Sequence, residues 1–369
     1  MIKIDRVSTR FFASANYLSG ATEVVTIIEL DKGVPTYKDI SQWIERNSIL
    51  HTVPYVDDAG YLKMREEKYS GIISSDCLRI SYVSQLTLSN ILEIELSEPV
   101  KHGLWRITLY HCGTKYFFAW RRNHLISDAF TTNLMLGDLF SRFTPISNGW
   151  STWSNRIDDD PYITSSCSHR LIFSSRITEK LNNLCKNLRV SLSSIIAVLL
   201  RYHLTNDSRK GKSIWVAYSR RKVLNNWCPG CLIGVVEVPV SELCNNIENI
   251  QKCEQYILLN TQDSKIQLES YDKAKEGVKK TCYSSLGPCV TNNGRYSSLE
   301  SYEVIRDIVT CVDRRQGNYS IVAHLDRFRG RIAMTLSSAA KVFSESELQI
   351  LAEEIINYFD QDKIIFPIS

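Results

Sequence analysis

One stretch of the 369-residue sequence brings groups capable of acid–base chemistry close together: Asn123-His124-Leu125-Ile126-Ser127-Asp128-Ala129. A neutral imidazole can take a proton from a hydroxyl or amine and return it to a leaving group at neutral pH. Asp128, four residues on, can cap a following helix or bind a basic partner. Taken alone, His-x-x-x-Asp is unspecific, because such pairs arise by chance in a long chain. A second close pair is Cys228-Pro229-Gly230-Cys231. A redox Cys-x-x-Cys opens a helix after a strand near the start of a small domain, whereas this one lies in a Pro/Gly turn deep in the chain. We read it as a structural turn. No second cysteine or histidine pair has zinc spacing, so no metal site is expected.

The residues flanking His124 define what must position it. Lys115 to Arg122 (KYFFAWRR) reads as a strand, and Phe130 to Phe143 sets Leu136, Leu139, Phe140 and Phe143 at helical spacing. His124 thus falls in a strand-to-helix loop, where rigid scaffolds present reactive side chains. Upstream, Glu23 to Leu30 is a β-branched strand and Thr36 to Arg46 a helix, followed by an acidic turn at Asp57 to Gly60 and a strand through Leu62 and Met64. Leu104 to Tyr110 is a further strand, turned at Cys112-Gly113 into the one before His124. Thr144 to Ser168 is polar, the composition of a connection across a surface. The second half offers helices at 178–188 and 192–204, the latter nearly all apolar and therefore buried, and strands at 214–218, 233–240 and 332–336. A last helix at 345–359 is marked by a Ser344/Glu347 capping box behind Phe343. This alternation predicts an α/β (α+β) fold with a sheet in each half. The expected units are an N-terminal lobe at 1–150, a crossover at 151–170 and a C-terminal lobe at 171–369.

Composition narrows the function class. With 44 basic and 40 acidic residues and no run of like charge, nothing marks a nucleic-acid surface. The first residues lack a secretory apolar stretch, and the longest strongly apolar segment, Ile195 to Leu200, is far shorter than the ~20 residues of a membrane span. Eleven cysteines without framework spacing read as reduced thiols. A soluble, cytoplasmic, monomeric protein is expected.

Residues 121–130, RRNHLISDAF, resemble the His-His-x-x-x-Asp-Gly motif of condensation domains, alcohol acetyltransferases and related acyltransferases of the chloramphenicol acetyltransferase superfamily. Asn47 to Tyr61 is similar to that family's early segment, Leu104-Trp105-Arg106 to its apolar-Trp-Arg strand, and Leu192 to Leu204 to its buried helix. Ser219-Arg220-Arg221 resembles the strand-end arginine segment, and Val290-Thr291-Asn292-Asn293-Gly294 the Ser-Asn-x-Gly segment with Thr for Ser. The first motif histidine is Asn123 here and the terminal glycine is Ala129; the second histidine, which the chemistry needs, is kept. The late Asp-Phe-Gly-Trp-Gly signature of plant-type members is absent.

The resemblance implies two lobes meeting in a V, with His124 midway along a tunnel between them. It implies an acyltransferase in which His124, as general base, activates a hydroxyl or amine of a small-molecule acceptor against a thioester. Acyl-CoA or phosphopantetheine is then the co-substrate, with no permanently bound cofactor, and an acyl or peptidyl carrier protein is a possible partner. Thr291 and Asn292, with Asn123, fall to substrate or transition-state binding. Asp128 falls to holding the loop through Arg220 or Arg221. The alternative is a condensation-like module without chemistry that docks a carrier protein or partner. Cyclisation or dehydration of a carrier-bound intermediate ranks last, for want of a second paired acid.

Overall fold

A computed structural model describes residues 4–360, apart from 32, 68–76, 84–85, 144–145, 147–148, 154–155, 158–165, 205, 212, 240–246, 264, 282–285 and 315–318. The chain opens on a helix, Arg6–Tyr17 (α1), whose N-terminus is capped by Asp5 accepting from the Ser8 backbone. The strand Val24–Leu30 (β1) follows, buried at every residue except Glu29. A strand buried on both faces needs a layer on each side. Val25 and Ile27 meet Ile91, Leu92 and Leu96 of Leu88–Ser97 (α3). Ile28 and Leu30 meet Trp43 and Ile44 of Tyr37–Arg46 (α2) and Leu136 and Leu139 of Ala129–Arg142 (α4). A Thr36/Asp39 capping box starts α2, and the Trp43 indole N–H donates to the Met135 carbonyl at 2.8 Å, tying α2 to α4.

In the first sheet β1 pairs on one side with Lys115–Arg122 (β6), which continues to Trp105–Cys112 (β5), Leu78–Tyr82 (β4) and Arg156–Ile157 (β7). The hairpin Thr52–Val56 (β2) and Leu62–Glu66 (β3) stands apart, and at its turn Asp57 Oδ1 accepts from the Ala59 and Tyr61 backbone. On its other side β1 pairs with Ile305–Val312 (β12), running from Val24 opposite Val312 to Leu30 opposite Ile305.

The second sheet runs in the order Ile233–Pro239 (β10), Ser213–Ser219 (β9), Cys289–Arg295 (β11), Val322–Phe328 (β13), Arg331–Ala339 (β14) and Ser166–Ile172 (β8). One of its faces packs on Ser175–Leu188 (α5), Leu192–His203 (α6), Ile247–Asn260 (α8) and Glu345–Asp360 (α10). As its composition predicts, α6 is buried continuously from Leu192 to Arg201. The short helix Arg221–Leu224 (α7) follows β9, and Tyr271–Thr281 (α9) packs against α1 through Ala13, Ala274 and Val278.

The expected division of the chain needs two corrections. β8 begins inside the segment assigned to the crossover and is the edge strand of the second sheet; residues 158–165 of that segment lie outside the described residues. β12, assigned to the C-terminal lobe, completes the first sheet instead. An unpaired β1 edge would leave its backbone groups without partners, and a strand from distant sequence satisfies them with no local signal to announce it. The chain thus leaves the second sheet after β11, crosses to the first for β12 and returns at β13.

Candidate active site

His124 stands where β6 turns into α4. The Asn123 backbone N–H donates to the Leu104 carbonyl at 2.7 Å, and its side-chain Oδ1 accepts from the Leu125 N–H at 3.0 Å. These bonds fold His124–Ile126 into one 3-10 turn. Asp128 then caps α4, accepting from the Thr131 N–H at 2.9 Å. The four-residue spacing is thus the length of one tight turn between a strand end and a helix cap.

The Asp128 carboxylate also bonds across the lobes. Arg221 Nη2 donates to its Oδ2 at 2.8 Å and its Oδ1 at 3.0 Å, and Arg221 Nε to Oδ2 at 3.1 Å. The Leu232 backbone N–H completes the set at 3.0 Å. The same guanidinium donates to the carbonyls of Cys228 and Gly230, at 2.6 and 2.8 Å, and so fixes the Cys228-Pro229-Gly230-Cys231 turn. Arg220, one residue earlier, goes elsewhere: to Asp5 Oδ2 at 2.8 Å and the Lys265 carbonyl at 2.7 Å. Of the two arginines offered as partners for Asp128, the pair is therefore with Arg221, and Arg220 anchors the segment before α1.

That turn delivers Cys231 to the imidazole, with its Sγ 3.5 Å from His124 Nδ1. Phe11 of α1 stacks on the same ring, centroids 4.5 Å apart and planes within 9°. His124 is only 9% exposed. Burial pushes its pKa down to about 4, against the opposing pull of backbone carbonyls and the Asp128 charge. The ring is therefore neutral at physiological pH, the state in which it accepts a proton. Burial raises the Cys231 thiol, so it is protonated there and is no thiolate nucleophile.

His124 lines a cavity of about 90 Å³ between the lobes, together with Phe130 and Thr132 of α4, Ser219 of β9, and Thr291 and Asn292 of β11. Asn292 Oδ1 accepts from the Gly294 N–H at 2.9 Å, where Gly294 takes a φ of 77° that a side chain would resist. The neighbouring Asn293 donates to Asp326 at 2.9 Å and to the Thr310 carbonyl at 3.2 Å. Burial raises the Asp326 carboxyl to about 6. Asn123 does not line this cavity; its side chain is spent on the turn that presents His124.

The structure thus gathers His124, Asp128, Arg221, Thr291 and Asn292 around one cleft. Sequence reading missed Phe11, Cys231 and His324, the last paired with Thr291 on the adjoining strand. Cys231 carried a local signal in the Pro-Gly turn, but nothing in the sequence links Phe11 or His324 to position 124. Among the described residues no group of three or more His, Cys, Asp and Glu side chains could hold a metal ion, and no single helix is long and apolar enough to cross a membrane.

No protein-family model and no curated sequence matches the chain. Solved structures match across nearly all of it. The first condensation domain of the calcium-dependent antibiotic synthetase, in complex with a substrate analogue, is 10% identical, with 96% of this chain and 94% of that one covered at a TM-score of 0.69. Trichothecene 15-O-acetyltransferase from Fusarium sporotrichioides is 11% identical, covering 97% and 94% at 0.67. Polyketide synthase associated protein 5 from Mycobacterium tuberculosis is 14% identical, covering 95% and 96% at 0.62. The chain therefore carries the two-lobed α/β fold seen in these condensation-domain and acetyltransferase structures.

Proposed function

We propose that this protein is an acyltransferase that moves an acyl group from a thioester to a hydroxyl or amine of a small molecule, with His124 as general base. The observation that carries the reading is a neutral, buried imidazole opening on a cleft lined by both lobes. With Nδ1 turned to Cys231, Nε2 is the nitrogen that takes the acceptor proton. The acceptor oxygen or nitrogen then bonds to the thioester carbonyl carbon, and the tetrahedral adduct collapses as the C–S bond breaks. The proton on His124 passes to the departing thiolate. Hydrogen-bond donors of Thr291 and Asn292 stabilise the adduct's oxyanion. Asp128 and Arg221 take no proton; they hold the loop, and the Cys231 turn with it, at a fixed distance from β11.

CoA or a carrier-protein phosphopantetheine arm supplies the thioester. The test is acceptor-dependent thiol release with acyl-CoA and acyl-carrier donors. His124→Ala should lower the rate by roughly 100- to 10,000-fold with near-UV circular dichroism unchanged. Thiol release equal to wild type would remove His124 from the chemistry. Silence of the wild type with every donor, alongside measurable carrier-protein binding, would favour the docking module.

A further inference from the structure

Beyond Thr291 the inter-lobe face of the second sheet continues as a buried polar layer. Val290 packs into the second-lobe core, so its neighbours Cys289 and Thr291 project to the opposite, inter-lobe side. β13 sets His324 opposite Thr291, and β14 sets Thr335 opposite His324. Arg314, two residues past the end of β12, lies against this layer. It is 3% exposed, and its guanidinium carbon is 5.2 Å from the Tyr319 ring centroid. Its charge acts on both Cys289 and His324, and His324 also senses His124.

Arg314 Nε and Nη2 have no hydrogen-bond partner among the described residues, and neither do His324 Nδ1 and Thr335 Oγ1. The adjacent Asp313 acts on Arg314 through its charge, and Arg121 Nη2 and Ser166 Oγ donate to its carboxylate at 2.7 and 3.2 Å, while the Nε/Nη2 edge of Arg314 stays open among the described residues. A buried cation is normally matched by an anion, because burial strips its hydration. Elsewhere in this molecule the same Nε/Nη2 edge grips carboxylates in three pairs, Arg221 on Asp128, Arg10 on Glu269 and Arg295 on Glu300, while Arg79 and Arg170 use their two Nη groups on Glu98 and Asp307. Its two parallel N–H groups match the two oxygens of a carboxylate, which a neutral group cannot do.

We propose that Arg314 is the carboxylate-binding residue of the substrate cleft: either the acyl group or the acceptor carries a carboxylate that this edge receives, beside His324 and Thr335. From Thr291 to Cys289 is one strand repeat of about 7 Å, so the carboxylate lies a short chain away from the reacting carbon. A dicarboxylic acyl group or an amino- or hydroxy-acid acceptor has that form. The assignment rests on the acyl-transfer reading for its kinetics and stands apart from it for binding.

Two matched pairs separate the sources: succinyl-CoA against butyryl-CoA as donors, and serine against serinamide as acceptors with acetyl-CoA. Wild type should prefer the carboxylate member of one pair by about 10- to 100-fold. Arg314→Gln should erase that preference and Arg314→Lys restore part of it. The same pairs are titrated by calorimetry against His124→Ala protein, so a preference in binding without thiol release would uphold Arg314 while refuting the transferase. Wild-type protein that discriminates neither pair, or Arg314→Gln that keeps the wild-type ratio, overturns the proposal. Unliganded Arg314→Met should unfold at or above the wild-type temperature. A fall of several degrees would mark a structural cation and overturn it too.

Discussion

Asp128→Asn isolates the charge of the cross-lobe pair, because an amide keeps the shape of the side chain and its ability to cap α4. In the wild type three Arg221–Asp128 hydrogen bonds span 2.8–3.1 Å, and the two side chains are 1% and 2% exposed. Removing one member of such a pair leaves the other charged and buried, at a cost of about 3–5 kcal/mol. Arg221→Met should cost a comparable amount, since it strands the carboxylate with only the Thr131 and Leu232 N–H groups. The double variant buries no charge and should fall short of the summed losses by about 1–3 kcal/mol. Urea unfolding at pH 7 reads all four corners of this cycle, and thiol release gives the kinetic counterpart. If Asp128 acts only through geometry, the rate falls and its pH profile keeps its shape. Additive losses, or an Asp128→Asn loss below about 1 kcal/mol, would refute the assignment of Asp128 to a lobe-spanning support.

Three further outcomes follow from the site. His124 is pushed from 6.5 down to about 4 in the folded protein. As pH falls through 6.5 the unfolded chain takes up the proton first, so stability should drop by about 3 kcal/mol between pH 6.5 and 4 and be unaffected by this group above 6.5. His124→Gln should lack that part of the slope in urea unfolding at stepped pH. Phe11→Ala removes the ring stacked on the imidazole and admits water; the His124 pKa should move up toward its ordinary value in an NMR titration. At Gly137 in α4, an added Cβ would come within 2.7 Å of Ser298 Cβ and Oγ. Gly137→Ala should therefore lower the unfolding temperature by the strain of about 1–3 kcal/mol, although alanine favours helix by about 1 kcal/mol.

The sequence by itself determined the local parts of this protein. Apolar spacing marked β1, β6 and α4, a serine and glutamate marked the start of α10, and an unbroken apolar run marked α6 as buried. The four residues from His124 to Asp128 already implied a turn between strand and helix, because capping and periodicity act within one or two turns of chain. Family resemblance then placed Thr291 and Asn292 on the same cleft. What the tertiary structure alone decided are the contacts between distant segments. Two adjacent arginines with identical chemistry diverge, Arg221 to Asp128 and Arg220 to Asp5, because the chain turns from β9 into α7 between them, Arg220 standing before the helix and Arg221 opening it. β12 joins the first sheet only because β1 offers it an open edge. Phe11 covers the imidazole and Cys231 meets its Nδ1 only once α1 and the Pro-Gly turn have packed. Such contacts join residues from 93 to 284 positions apart and leave no periodicity in either segment, so packing rather than pattern sets the environment of His124 and the protonation state on which its chemistry depends.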